Sequence, residues 1–193
     1  MIKNNFIYQL LRILLTPLFV FWYNPKIINK KAIPKKGSFI VCGNHKHFMD
    51  QFPVVISTTR TIHWLSKKEY FDGKYKLFFK GVGCISVDRA KHDGKALSIA
   101  LKYLKKNEAI GLFPEGTRNK TNEILLNFKK GAVKMAQETH SPIIPFAITG
   151  DFKFRSKNLT LRFGSPMYVS ENEDLNSAND RLKKEIINLL NKN

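Results

Sequence analysis

The chain has 193 residues, 43% of them hydrophobic and 12% aromatic, which suits one domain with a full core and is short for two. Thirty-three Lys and Arg against fifteen Asp and Glu give a net charge of +18, and such an excess calls for an anionic partner: nucleic acid, anionic lipid or an acidic carrier. Nothing in it is repetitive or of low complexity, and two cysteines without a CxxC partner, Cys42 and Cys84, exclude a disulfide framework.

The first candidate element runs from Phe6 to Tyr23, mostly apolar and aromatic but interrupted by Gln9, Arg12 and Pro17. As a spanning helix it is slightly short, and Arg12 near its middle would cost a few kcal/mol in hydrocarbon. No small-residue cleavage site follows, so a signal peptide is not indicated. The expected arrangement is an in-plane helix with its apolar face among acyl chains and Trp22 and Tyr23 at headgroup level. Lys26, Lys30, Lys31, Lys35 and Lys36 come next, each able to add about 1 kcal/mol beside an anionic leaflet. A helix docked on the domain's own core and a single-pass anchor are the alternatives. Pro25 and Pro34 mark residues 1–36 as a membrane-associating arm, leaving 37–193 as the globular domain.

Beyond the arm, strands are expected at 38–42, 61–65, 84–87, 109–113, 143–148 and 159–163. Helices are expected at 67–80, 95–106 and 131–138, and from about residue 179 to the end. In 95–106, Leu97, Ala100, Leu101 and Leu104 fall on one helical stripe. Alternating strands and helices predict an α/β fold with a mostly parallel central sheet flanked by helices. Sites in such folds gather at the carboxyl ends of strands. Here Asn44-His45, Asp88-Arg89 and Pro114-Glu115-Gly116 each follow a predicted strand directly, so three polar clusters converge on one rim.

His45 is the natural general base, because unperturbed imidazole accepts a proton near pH 6.5. Asp50, five residues on, can hold the ring's tautomer if a turn leads into a helix start. No serine or cysteine is placed as a nucleophile, so the pair would activate a hydroxyl of the substrate. Cys42, near His45, could form a Cys-His pair, but a cysteine within a strand points into the core. His45, His47 and Asp50 could be metal ligands, yet no further cluster completes a shell. Arg89 and Arg118 are the anion binders, since guanidinium grips phosphate bidentately. Glu115 beside them could hold the arginines or accept a substrate hydroxyl, and Gly116 lets backbone approach closely. A structural salt bridge in the turn is the alternative for each.

These blocks, in this order, resemble the glycerophospholipid acyltransferase family, its 1-acyl-sn-glycerol-3-phosphate acyltransferases in particular. The N-H-x4-D block is Asn44, His45 and Asp50. A glycine-led strand ending in arginine is Gly83 to Arg89, and F-P-E-G-T-R is Phe113 to Arg118 unbroken. Phe128-Lys129-Lys130-Gly131-Ala132 resembles the family's F-K-x-G-A, and Ile143-Ile144-Pro145-Phe146 its apolar-apolar-proline strand. Asn119 stands where serine often follows the third block.

The resemblance implies that His45, oriented by Asp50, deprotonates the free hydroxyl of a lysophosphatidic acid, which attacks the thioester of acyl-CoA or acyl carrier protein. It implies that Arg89, Glu115, Gly116, Thr117 and Arg118 hold the glycerol phosphate, with Asn44, Lys129 and Pro145 in support. No metal or other cofactor is implied. The expected partners are an anionic membrane surface, a lysophospholipid and an acyl carrier, with the protein peripheral or monotopic on a cytoplasmic face. Nucleic acid is not expected, because no aromatic-interleaved basic patch or reading helix is present.

Overall fold

A computed structural model describes residues 3–88 and 94–192, with side chains from residue 6 onward. Seven strands form one sheet: β1 (Lys26–Ile28), β2 (Phe39–Gly43), β3 (Ile62–Lys67), β4 (Ile85–Val87), β5 (Ala109–Leu112), β6 (Ile143–Thr149) and β7 (Thr160–Phe163). Their spatial order is β1-β7-β6-β2-β5-β3-β4, and every neighbouring pair is parallel except β6 and β7. The sheet is therefore mostly parallel, with β1 and β7 reversed at one edge.

The helices are α1 (Lys3–Tyr23), α2 (Gln51–Ile56), α3 (Glu69–Asp72), α4 (Lys76–Gly81), α5 (Gly94–Leu104), α6 (Gly131–Thr139) and α7 (Leu175–Asn191). Residues of β2 and β5 are buried throughout, as expected of strands covered on both faces. Alternation divides them between two cores. Ile40, Cys42, Ile110 and Leu112 pack with α5, α6 and α7. Phe39, Val41, Ile62, Trp64 and Phe146 pack on the other face with Phe19 of α1 and Val54 of α2. Cys42 thus points away from α1 and α2, and burial pushes its thiol well up, away from nucleophilic use.

Three local expectations change. The helix expected over 67–80 is two short ones, because β3 continues to Lys67 and Gly73, in extended backbone, closes α3 before α4 begins. The last helix starts at Leu175, where the Asp174 side chain accepts the Ser177 amide at 2.9 Å as an N-cap. Lys26–Ile28, inside the segment read as an arm, is a strand paired with β7, and Ile33 is buried in the core beyond it.

Helix α1 lies against the domain along one stripe. Tyr8 and Phe19 are buried, and Gln9 Nε2 donates to the Thr59 carbonyl at 2.8 Å and to Thr61 Oγ1 at 3.2 Å. Arg12 Nε donates to Gln9 Oε1 at 2.8 Å, which keeps the charged residue on the docked side. The opposite stripe, Phe6, Leu10, Ile13, Leu14, Leu18 and Phe21, is exposed. Phe6–Tyr23 is long and apolar enough to cross a membrane, and its exposed row is a large uncovered apolar surface.

Candidate active site

The four parallel strands β2, β5, β3 and β4 end on the same edge, and the loops that follow them build the site. Directly after β2, the Asn44 amide reaches across to β6. It donates to the Ile148 carbonyl at 2.9 Å and accepts the Ile148 amide at 2.8 Å, replacing a strand pairing just where the chain turns. That buried side chain fixes the position of His45.

The imidazole of His45 has Nδ1 2.9 Å from Asp50 Oδ2. The same oxygen accepts the backbone amides of Lys46 at 2.7 Å and His47 at 2.8 Å. Asp50 is only 2% exposed, so water does not compete for it. The five-residue step is bridged by a turn, Asp50 N–H to His47 C=O at 3.2 Å, that leads into α2. Because a carboxylate only accepts, Nδ1 is the nitrogen that donates to Asp50, which leaves Nε2 as the lone-pair nitrogen of the neutral tautomer. Phe113 lies flat against the ring, 3.9 Å between centroids and 8° from parallel, and Trp64 stacks behind Phe113 at 5.2 Å. The imidazole is thus held from its side by a carboxylate and from its face by an aromatic wall.

The Phe113–Arg118 turn is tied to this histidine at two points. Glu115 Oε1 accepts the His45 amide at 2.8 Å, and Asn119 N–H donates to the His45 carbonyl at 2.6 Å. Glu115 Oε2 accepts the Leu126 amide at 2.9 Å. Both oxygens of this buried carboxylate therefore serve backbone, and no arginine among the described residues pairs with it. Asn119 is buried, and its side chain organises the following loop by accepting the Thr121 amide at 2.9 Å and donating to the Glu123 carbonyl at 2.8 Å. Neither tie is visible in the sequence, where Asn119 read only as a departure from a pattern.

Gly116 has φ +71°, a conformation favoured by glycine, and a Cβ there would meet the Lys129 side chain at 3.0 Å. Lys129 is anchored by its own amide on the Pro114 carbonyl at 2.8 Å, so its stem lies along the turn. Thr117 and Arg118 are exposed at the site's mouth, and Arg118 has no carboxylate partner among the described residues. Pro145 sits lower in β6, with its ring toward Gly164 and its carbonyl accepting the Gly164 amide at 2.8 Å, so it supports the sheet and not the rim. Arg89 lies outside the described residues. Asp88, just before it, is 3.7 Å from the Lys68 ammonium on the same rim. His47 is turned away from the dyad and stacks on Phe152 at 4.5 Å.

A cavity of about 800 Å³ opens beside His45 and Arg118. From there it runs between the sheet and α1, α2 and α4, past Trp64, Phe52, Val55 and Phe79 to Leu11, Leu15 and Tyr8. Its walls are mostly apolar, and the docked stripe of α1 forms one side. Burial pushes the thiol of Cys84, also in this wall, up to about 11, so it lines the space without reacting.

A histidine backed by a carboxylate, set beside a mostly apolar cavity on the carboxyl rim of a parallel sheet, fits an enzyme of the acyltransferase class. The chain belongs to the Acyltransferase family, whose model matches residues 24–149, a span that holds the dyad, the Phe113–Arg118 turn and the Ile143–Phe146 strand. It is similar to a 1-acyl-sn-glycerol-3-phosphate acyltransferase of Bacillus subtilis, 29% identical over 152 residues, covering 76% of this chain and 75% of that one. A protein of the same name from Borreliella burgdorferi is 30% identical over 146 residues, covering 74% of this chain and 58% of that one. The fold matches the crystal structure of the 1-acyl-sn-glycerophosphate (LPA) acyltransferase PlsC from Thermotoga maritima, with a TM-score of 0.74 at 22% identity over 98% of this chain and 82% of that one.

Proposed function

We propose that this protein transfers a fatty acyl group from a thioester donor to the free hydroxyl of 1-acyl-sn-glycerol 3-phosphate, giving phosphatidic acid for phospholipid synthesis. The observation that carries this reading is the His45–Asp50 pair, 2.9 Å apart, at the mouth of an apolar cavity of about 800 Å³ with Arg118 beside it. The names of the similar bacterial proteins agree with it.

In this mechanism His45 Nε2 takes the proton of the acceptor hydroxyl while Nδ1–H stays bonded to Asp50, which stabilises the imidazolium. The hydroxyl oxygen bonds to the thioester carbonyl carbon, and backbone amides at the 115–118 turn steady the oxyanion. The C–S bond then breaks, and the thiolate leaves as the carrier thiol with the proton from His45. A thioester is already activated, so the transfer needs neither metal nor organic cofactor, and acyl-CoA or acyl carrier protein is a co-substrate. Arg118, with Arg89, grips the acceptor's phosphate, and the cavity takes an acyl chain. Helix α1 rests on an anionic, cytoplasm-facing membrane surface, from which both lipids come and go.

The test is a transfer assay with lysophosphatidic acid and either carrier, on the wild type and on His45→Ala. Loss of about 10²–10⁴ in rate is expected for the variant, the usual contribution of a positioned base. A variant near the wild-type rate would end the mechanism. Glycerol 3-phosphate and a zwitterionic lysophospholipid serve as competing acceptors. Arg118→Ala should raise KM for lysophosphatidic acid more than it lowers kcat, and an unchanged KM would remove the phosphate assignment.

A further inference from the structure

The hairpin loop between β6 and β7, residues 150–159, is welded to the end of α1. Arg155 N–H donates to the Trp22 carbonyl at 2.7 Å, satisfying one of the helix's last carbonyls. The Phe154 ring meets Trp22 edge-on at 4.8 Å and Phe21 at 6.3 Å, and the Arg155 guanidinium sits 5.7 Å over the Phe21 ring. Yet these rings are not buried by their contact: Phe21 is 59%, Trp22 51% and Phe154 55% exposed. Around them stand three cations, Lys153, Arg155 and Lys157, against a single Asp151 that lies 3.7 Å from Lys153. Phe152 points the other way, onto Phe19, Tyr23 and the His47 ring.

We infer that this loop is a second bilayer-contacting element, whose Phe154 enters the interface of an anionic phospholipid membrane beside Trp22 while Lys153, Arg155 and Lys157 meet lipid phosphates. The inference rests on the reading of α1 as a membrane-surface helix and extends it. Exposed aromatic rings flanked by cations, at the end of a helix with a bare apolar face, have the anatomy of the headgroup zone, where amphipathic rings and basic side chains both gain. A helix lying alone in the membrane plane leaves the domain free to roll about the helix axis. A contact off that axis fixes the roll. Because Phe152 ties the loop to His47, two residues from the catalytic base, the fixed roll is the one that sets the mouth of the His45 site at the lipid boundary.

Trp22 and Trp64 are the two tryptophans of the chain, and Trp64 is buried, so Trp22 reports on α1 directly. The experiment measures indole emission and quenching in vesicles of brominated phosphatidylcholine and phosphatidylglycerol. It compares the full-length wild type, W22F, and W22F combined with F154W. Quenching and a blue shift are expected for the wild type and, above the W22F background, for the F154W indole. Quenching of the wild type without quenching at F154W overturns the loop contact and leaves the helix reading intact. Absence of quenching in both overturns the bilayer contact of helix and loop together. Independently, K153Q/R155Q/K157Q is expected to weaken sedimentation with phosphatidylglycerol-containing vesicles about ten- to a hundredfold, and to leave partition into pure phosphatidylcholine unchanged. Undiminished binding to the anionic vesicles also overturns the proposal, and points to a protein partner for these cations.

Discussion

Glu115 accepts the backbone amide of His45 through one carboxylate oxygen and that of Leu126 through the other, at 2.8 and 2.9 Å, from a site only 5% exposed. An acid in the most sequence-distinctive turn of the chain is therefore a brace between two loops. Glu115→Gln keeps one acceptor but turns an NH₂ group toward a backbone N–H. A buried donor left unmet costs about 1–3 kcal/mol, so the thermal midpoint should fall accordingly. Because the brace sets where His45 stands, kcat should drop while KM for the acceptor changes little. If KM rises and stability holds, Glu115 touches substrate after all.

How much of this was legible in the sequence follows from the range of each interaction. The strand ends were, because Phe39–Gly43, Ala109–Leu112 and Ile143–Thr149 are apolar runs that stop at polar or glycine-bearing turns. Those ends alone place His45 and the Phe113–Arg118 turn on one rim. The strand at Lys26–Ile28 was hidden, since three residues carry no period and its partner, Thr160–Arg162, is far along the chain. The direction of Glu115 was equally hidden, because a carboxylate serving backbone amides has the same sequence appearance as one serving a ligand. The cavity exists only once α1 docks, and no local pattern fixes that docking.

Asp50→Asn tests the orientation of the imidazole. One oxygen of Asp50 accepts His45 Nδ1–H together with the amides of Lys46 and His47. An asparagine can offer its single oxygen to the two amides, but it carries no charge to balance an imidazolium. The rate should fall by about 10²–10⁴, with the KM values for donor and acceptor nearly unchanged. Steady-state kinetics with the circular dichroism spectrum as a fold check decide it. A loss below tenfold would mean the carboxylate is a loop fastener only.

Gly111→Ala tests the cavity wall. A Cβ at Gly111 would lie 2.7 Å from the Trp64 ring and 2.8 Å from the Ile62 side chain, within the sheet, where backbone cannot yield. Trp64 would shift against Phe113 and into the cavity it lines. Overpacking of this kind costs about 1–3 kcal/mol in stability. In the transfer assay long-chain donors should lose more kcat/KM than short-chain donors. Equal losses for all chain lengths would place the acyl chain elsewhere.

His63 should make folding sensitive to mild acid. It is buried on β3, stacked on Tyr103 of α5 at 3.8 Å, with Nδ1 2.7 Å from the Gly83 carbonyl. Its Nε2 lacks a hydrogen-bond partner and stands 3.9 Å from the Glu108 carboxylate. Burial disfavours the charged ring and lowers its pKa below 6.5, and the opposing pull of the Gly83 carbonyl and Glu108 does not cancel that. The unfolded chain then binds the proton more readily than the folded one. Stability from this group is complete above about pH 6.5 and declines as pH falls from there toward the folded value. Thermal unfolding followed from about pH 7.5 down to about pH 5 should show a steeper loss for the wild type than for His63→Gln, which lacks the titrating ring. The variant will start from a lower midpoint, so the slope and not the height is the readout. Parallel slopes would show that the acid sensitivity lies in other groups and that His63 binds its proton equally well in both states.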